Sequence, residues 1–157
     1  YLARAYFLIR TLPNVKGMWW YDLINDGTNH TDQEHNFGLL DDDLRAKPAY
    51  SVLKAISPYL PDFTYEPANS LQSDGVFQLA LSNGRERILV AWVSGREHEV
   101  SISATAMKNR PVRILDTQTP DKGMTDSAQQ WVCDAQRCSA RLTLTEFPKI
   151  IRLSPDA

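Results

Sequence analysis

Trp20, Asp22, Asn25, Asp26, His30, Asp32, Glu34 and His35 stand within one short stretch of a 157-residue chain. Together they offer a flat apolar indole face, carboxylate and amide oxygens that accept hydrogen bonds, and imidazoles that can titrate or ligate. His30, Asp32, Glu34 and His35 carry suitable donor atoms for a metal. Their spacing, however, matches no ligand motif of the His-Glu-x-x-His kind, and charged loops are ordinarily solvated. Asp41-Asp42-Asp43 lacks the pattern of a calcium loop and reads as a solvated acidic run ahead of a helix, where carboxylates cap and complement the dipole. We therefore expect no metal and no cofactor. Asn25-Asp26-Gly27 is also ordinary turn chemistry, and Asp22 could equally orient a neighbouring side chain.

These residues need positioning. Residues 1–12, YLARAYFLIRTL, follow helical spacing with Leu2, Ala5, Tyr6, Ile9 and Leu12 on one face. The helix has no start signal, so we expect it to begin upstream and the chain to be a fragment. Pro13 and Asn14 end it. Residues 15–23 do not alternate: Met18, Trp19, Trp20 and Tyr21 are consecutive, which predicts a parallel strand buried on both faces. Trp19 and Trp20 then point to opposite sides. A long polar loop follows; loops of that length are usually functional or disordered. Lys47-Pro48-Ala49-Tyr50 opens a second helix with Pro in its first turn, Ala49, Val52, Leu53 and Ile56 facing inward, and Pro58 closing it. A lone parallel strand leaves both edges open. We thus read residues 1–57 as the last helix–strand–helix portion of a larger α/β domain.

Residues 58–70 read as a linker punctuated by Pro58, Pro61 and Pro67, and residues 71–157 as a β-sandwich. Phe77, Leu79 and Leu81 alternate with polar or small residues, Asn83-Gly84 is a hairpin turn signal, and strands are expected at 87–93, 97–103, 111–116, 130–133, 139–145 and 149–153. Such short antiparallel strands without helices predict a sandwich. Trp92 and Trp131 read as packing residues. Cys133 and Cys138 suit opposed positions of a hairpin, within disulfide reach. A bridge would fit an oxidising compartment; free thiols in a cytosolic protein are the alternative. Composition is that of a globular chain, 43% hydrophobic and 23% charged. The net charge of −2 offers no basic field for nucleic acid, and no apolar run is long enough for a transmembrane helix.

Three stretches carry a family likeness. Tyr1-Leu2-Ala3-Arg4-Ala5-Tyr6 resembles the helix after strand seven of a (β/α)8 (TIM) barrel, and residues 15–23, with Trp20-Tyr21-Asp22, resemble strand eight. Asn36-Phe37-Gly38-Leu39-Leu40 followed by Lys47-Pro48-Ala49-Tyr50 resembles the turn into the final helix. In the sandwich, Ile88-Leu89-Val90-Ala91-Trp92 and Leu142-Thr143-Leu144-Thr145 with Pro148 agree less specifically. The whole is similar to the C-terminal end of clan-A retaining glycoside hydrolases, family 39 and its bacterial relatives acting on exopolysaccharide and biofilm matrix. That resemblance implies a barrel with its active site on the C-terminal face and a polysaccharide or oligosaccharide substrate. It also implies two catalytic glutamates at strands four and seven, about 5–5.5 Å apart for retention. Neither glutamate matches a position in this chain, because Glu34 lies in the loop after strand eight. The expectation is therefore a periplasmic or secreted glycosidase that is inactive as this fragment and needs the missing part of the barrel. Trp20 would stack on sugar, with Asp22, Asp26, Glu34 and His35 as further sugar-binding groups. The alternative is a non-catalytic carbohydrate-binding or scaffold protein of the same architecture.

Overall fold

The computed structural model describes residues 1–105, 109–134 and 137–155. Two helices precede the sheets: α1 (Leu2–Leu8) and α2 (Pro48–Ile56). The strands are β1 (Thr64–Tyr65), β2 (Leu71–Ser73), β3 (Val76–Ser82), β4 (Arg87–Val93), β5 (His98–Thr105), β6 (Asn109–Asp116), β7 (Met124–Asp126), β8 (Val132–Cys133), β9 (Arg137–Leu144) and β10 (Lys149–Pro155). Among the described residues they form a seven-stranded sheet, β1-β3-β4-β10-β6-β7 with β2 also on β3, and a three-stranded sheet, β5-β9-β8. All these pairings are antiparallel.

The alternation on β4 explains the layering. Leu89, Ala91 and Val93 join a core with Ile102, Ala140, Leu142 and Leu144 of the smaller sheet. Ile88, Val90 and Trp92 join another with Phe7, Ile56 and Phe63. The larger sheet is thus covered on both faces, by the smaller sheet and by the helices, which is why β4 is apolar without interruption. The 58–70 stretch lies against this sheet: β1 pairs with β3 and Phe63 is buried. The turn after β3 spans four residues, with Asn83 Oδ1 accepting from the backbone N–H groups of Arg85 and Glu86. Strands 97–103, 111–116, 139–145 and 149–153 appear with ends shifted by a few residues. The 130–133 strand shrinks to β8, because residues Ala128–Gln130 form a 3-10 turn.

Two expectations need correction. The buried residues of α1 are Leu2, Ala3 and Phe7, with Tyr6 partly buried against the same core. Of the expected face, Leu2 and Tyr6 hold, whereas Ala5 and Ile9 are only half-buried and Leu12 is exposed. The α-helix stops at Leu8 and continues as a 3-10 turn over Ile9–Thr11, whose three-residue winding rotates Ile9 and Leu12 out of phase. The Arg10 guanidinium pins that turn by donating to the Leu60 and Phe63 carbonyls.

Residues 15–23 form no strand, and they are not buried: Val15, Trp19, Tyr21 and Leu23 are exposed. A strand is buried on both faces only where neighbouring strands and covering helices exist, and no described strand lies beside it. Pairing begins only at its end, with parallel bridging of Ile24 to Leu40.

Candidate functional site

The site is built where the 15–23 segment meets the loop. Leu39 and Leu40 N–H donate to the Asp22 and Leu23 carbonyls at 3.0 and 2.8 Å, and Asn25 N–H returns the pairing to Leu40 at 3.1 Å. These three bonds close the loop at its base. Gly38 permits the contact, because a Cβ there would lie 2.3 Å from the Asn25 nitrogen. The peptide between Tyr21 and Asp22 is cis.

Inside the loop the organiser is Asn36. Its Nδ2 donates to the carbonyls of Asn29 and Asp32 at 2.9 and 2.6 Å, while its Oδ1 accepts from Asn25 Nδ2 at 3.3 Å. Lys47 Nζ donates to Asn25 Oδ1 at 2.5 Å and to the Asn36 carbonyl at 2.9 Å. Asn25 is only 8% exposed, so these bonds satisfy a buried amide that would otherwise be costly. The sequence reading gave Asn36 and Lys47 no role in the site and left Asn25 as a turn or ligand group. The nearest signal was the pair Gly27 and Gly38, each marking a close approach.

The expected site residues divide into two groups. Trp20 is 36% exposed, and its Nε1 donates to the Phe37 carbonyl at 3.4 Å. One flank lines a cavity of about 400 Å³ with Leu2, Ala49, Val52, Thr117 and Phe147. Tyr21 donates its hydroxyl to Asp26, and the Asp26 carboxyl in turn lies against Asp22. Asp22 Oδ1 is out of solvent contact and has no hydrogen-bond partner. Asp22 and Asp26 thus share one corner with Tyr21, while Trp20 faces the Phe37 carbonyl and the cavity.

Glu34 and His35 sit in the 3-10 turn Gln33–Asn36. Glu34 is exposed. The His35 ring covers Gly27, where a Cβ would approach it to 2.6 Å. Its Nδ1 accepts from Asn29 N–H at 3.3 Å, which leaves the proton on Nε2, 3.9 Å from Asp32. His35 therefore braces the loop with one nitrogen and turns the other toward Asp32. The acidic run departs from the capping expectation. Asp41 folds back on Arg45, accepting from its backbone N–H at 2.8 Å and its Nε at 3.0 Å, while α2 starts at Pro48 with Lys47 as its N-cap residue. Among the described residues no three of His, Cys, Asp and Glu gather where they could hold a metal.

Removal from solvent, then the neighbouring Asp26 charge and hydrogen bond, raises the Asp22 carboxyl above its ordinary 3.8, against the opposing pull of Lys47. The folded state therefore holds the Asp22 proton more tightly than the unfolded chain. The stabilisation from that proton is complete below the ordinary value and is lost as pH rises through the raised one. Asp22→Asn is expected to raise the thermal midpoint at pH 7, with the gain shrinking to nothing as pH falls to about 3.5. A gain of equal size at both pH values, or none at pH 7, would exclude this coupling.

Far from this corner, Cys133 and Cys138 form a disulfide between opposed residues of the β8–β9 hairpin, as their spacing suggested. Trp92 and Trp131 are buried in the two cores.

No family model matches the chain, and no curated protein does. Among solved structures it is similar to a family 39 glycoside hydrolase from the gut symbiont Bacteroides cellulosilyticus WH2. The identity is 27% and the TM-score 0.75, over 98% of this chain and 29% of that one. It is also similar to Xyn30A, a family 30 subfamily 8 xylanase from Clostridium acetobutylicum. There the identity is 16% and the TM-score 0.63, over 98% of this chain and 38% of that one; that likeness speaks to the fold alone. The chain spans less than two fifths of either structure. Its helices and antiparallel sheets match the C-terminal portion of glycoside hydrolase structures, and the resemblance seen in the sequence holds.

Proposed function

We propose that the intact protein is a retaining glycoside hydrolase acting on a polysaccharide, and that this chain supplies strand eight of its barrel, one wall of the sugar cleft and the bracing sandwich. The observation that carries this reading is the 15–24 segment, which lies beside no described strand and whose exposed apolar side chains end beside a cluster of Tyr21, Asp22 and Asp26. Adjacent barrel strands would pair the segment and cover Trp19, Leu23 and Ile24, leaving Trp20 and the Tyr21–Asp26 corner at the carboxyl end, where barrel enzymes bind substrate. The likeness to a family 39 glycoside hydrolase supports it.

In the double displacement, one glutamate attacks the anomeric carbon while the other protonates the leaving oxygen. The second then activates the water that releases the sugar. Both glutamates lie outside this chain. An exopolysaccharide of a biofilm matrix is the substrate class we assign. The Cys133–Cys138 bridge supports a periplasmic or secreted setting, where disulfides persist.

The test is a reducing-sugar assay of the full-length protein on exopolysaccharides, with the product anomer followed by NMR. Release of sugar with retained configuration, together with no turnover by residues 1–157 alone, is the expected result. Binding without cleavage would replace this reading with a carbohydrate-binding scaffold, and inverted product would overturn the mechanism.

A further inference from the structure

We propose that Lys47 is a positioning residue, a side-chain tie that holds both ends of the 24–37 loop to the start of α2 and so helps set the wall that Trp20 and the loop present; its consequence for substrate rests on the glycoside hydrolase reading. Both ends of the loop meet at this side chain. One end contributes the buried Asn25 amide, the other the Asn36 carbonyl, and the ammonium donates to both. Its own backbone N–H donates to the Leu39 carbonyl at 2.9 Å, which locks the entrance to α2. That helix is docked on the larger sheet through Ile56, so Lys47 joins the loop to an element anchored in the core.

The tie reaches the site in two steps. Asn36 is followed by Phe37, whose carbonyl receives the Trp20 indole N–H. Asn36 Nδ2 also holds the carbonyls of Asn29 and Asp32, which frame the turn carrying Glu34 and His35. Removing the ammonium leaves the Asn25 and Asn36 acceptors unpaired in a poorly solvated place, and the loop must open to water to satisfy them. A neutral side chain of similar length therefore loosens the loop without touching the sandwich core. Arg, which keeps the charge and offers two donors, restores the tie in part.

The experiment uses the full-length protein with Lys47→Met, Lys47→Arg and the milder Lys47→Gln. Hydrogen exchange over residues 24–37 is expected to quicken at least tenfold in the Met variant while residues 88–93 stay protected. KM for the polysaccharide is expected to rise about tenfold with kcat within twofold, and Arg to recover most of both effects. Unchanged exchange in 24–37, or Arg behaving no better than Met, would overturn the role. So would a loss of kcat at constant KM. If Lys47→Met does not fold, Lys47→Gln carries the same readouts. If the wild-type protein cleaves no glycan, the glycosidase reading fails by itself, and the exchange pattern still decides whether Lys47 holds the loop.

Discussion

Replacing Trp92 by Ala is expected to remove about 3–5 kcal/mol of folding free energy, the range for truncating a large aromatic in a packed core. Trp92 is 1% exposed and stacks on Phe77, its cross-strand partner, with ring centroids 4.8 Å apart and planes 3° from parallel. It lies on the face of the larger sheet that meets the helices, in one cluster with Phe7, Ile56 and Phe63. The cavity left behind would open beneath α1 and α2 as well as within the sheet, so no single element can collapse to fill it. A folded domain holds only about 5–15 kcal/mol in reserve. The variant should therefore show a sharply lowered denaturant midpoint, and helix and sheet signals should be lost together. A cost near 1 kcal/mol, or helices melting ahead of the sheet, would mean the layers are not coupled through this residue.

That coupling marks the boundary of what the sequence made legible. Period-two patterning located most strands after residue 76, because each strand there has one face toward a core and pays for errors of register with a whole set of side chains. β4 lacked the alternation, and the reason is now visible: Leu89 and Ala91 face one core while Ile88, Val90 and Trp92 face the other. The same logic applied to residues 15–23 predicted burial on both faces. Composition states what a strand requires of its neighbours, not whether the neighbours are present, and there the side chains stand exposed. Local winding was also hidden, since the switch to a 3-10 turn at Ile9 leaves no mark in an apolar pattern.

The corner itself was half legible. Trp20, Asp22 and Asp26 were singled out by residue type and by their place at the end of the segment; the structure joins Asp22 and Asp26 with Tyr21 and sets Trp20 against the Phe37 carbonyl. The frame around them was missed, because it consists of amide and ammonium hydrogen bonds to backbone carbonyls. Asn25, Asn36 and Lys47 meet from distant positions, and such contacts carry no periodicity. Only the glycines hinted at it: Gly27 and Gly38 occupy places where any side chain would collide with His35 or with the Asn25 backbone.

On the proposed glycoside hydrolase reading, Trp20→Ala in the full-length protein is expected to lower kcat/KM on the polysaccharide by roughly 10- to 100-fold, almost wholly through KM. An indole face that covers a pyranose ring removes apolar surface worth about 1.5–3 kcal/mol, and each 1.4 kcal/mol is a factor of ten. Trp20 is suited to this because its orientation is already set. The Nε1–H bond to Phe37 fixes one edge, which reduces the freedom it has to lose on binding. Trp19 supplies the contrast. It is 87% exposed and folds its ring over Gly17, where a Cβ would meet it at 2.6 Å. In the proposed barrel its side chain would belong to the face opposite Trp20, so Trp19→Ala should leave KM nearly unchanged and act on stability instead. Trp20→Phe, which keeps a smaller aromatic face but loses the donor, should fall between wild type and Trp20→Ala. Steady-state kinetics on the three variants decide the matter. Equal losses from Trp19 and Trp20 would point to a general packing role, and a loss confined to kcat would place Trp20 at the reacting bond rather than along the wall of the cleft.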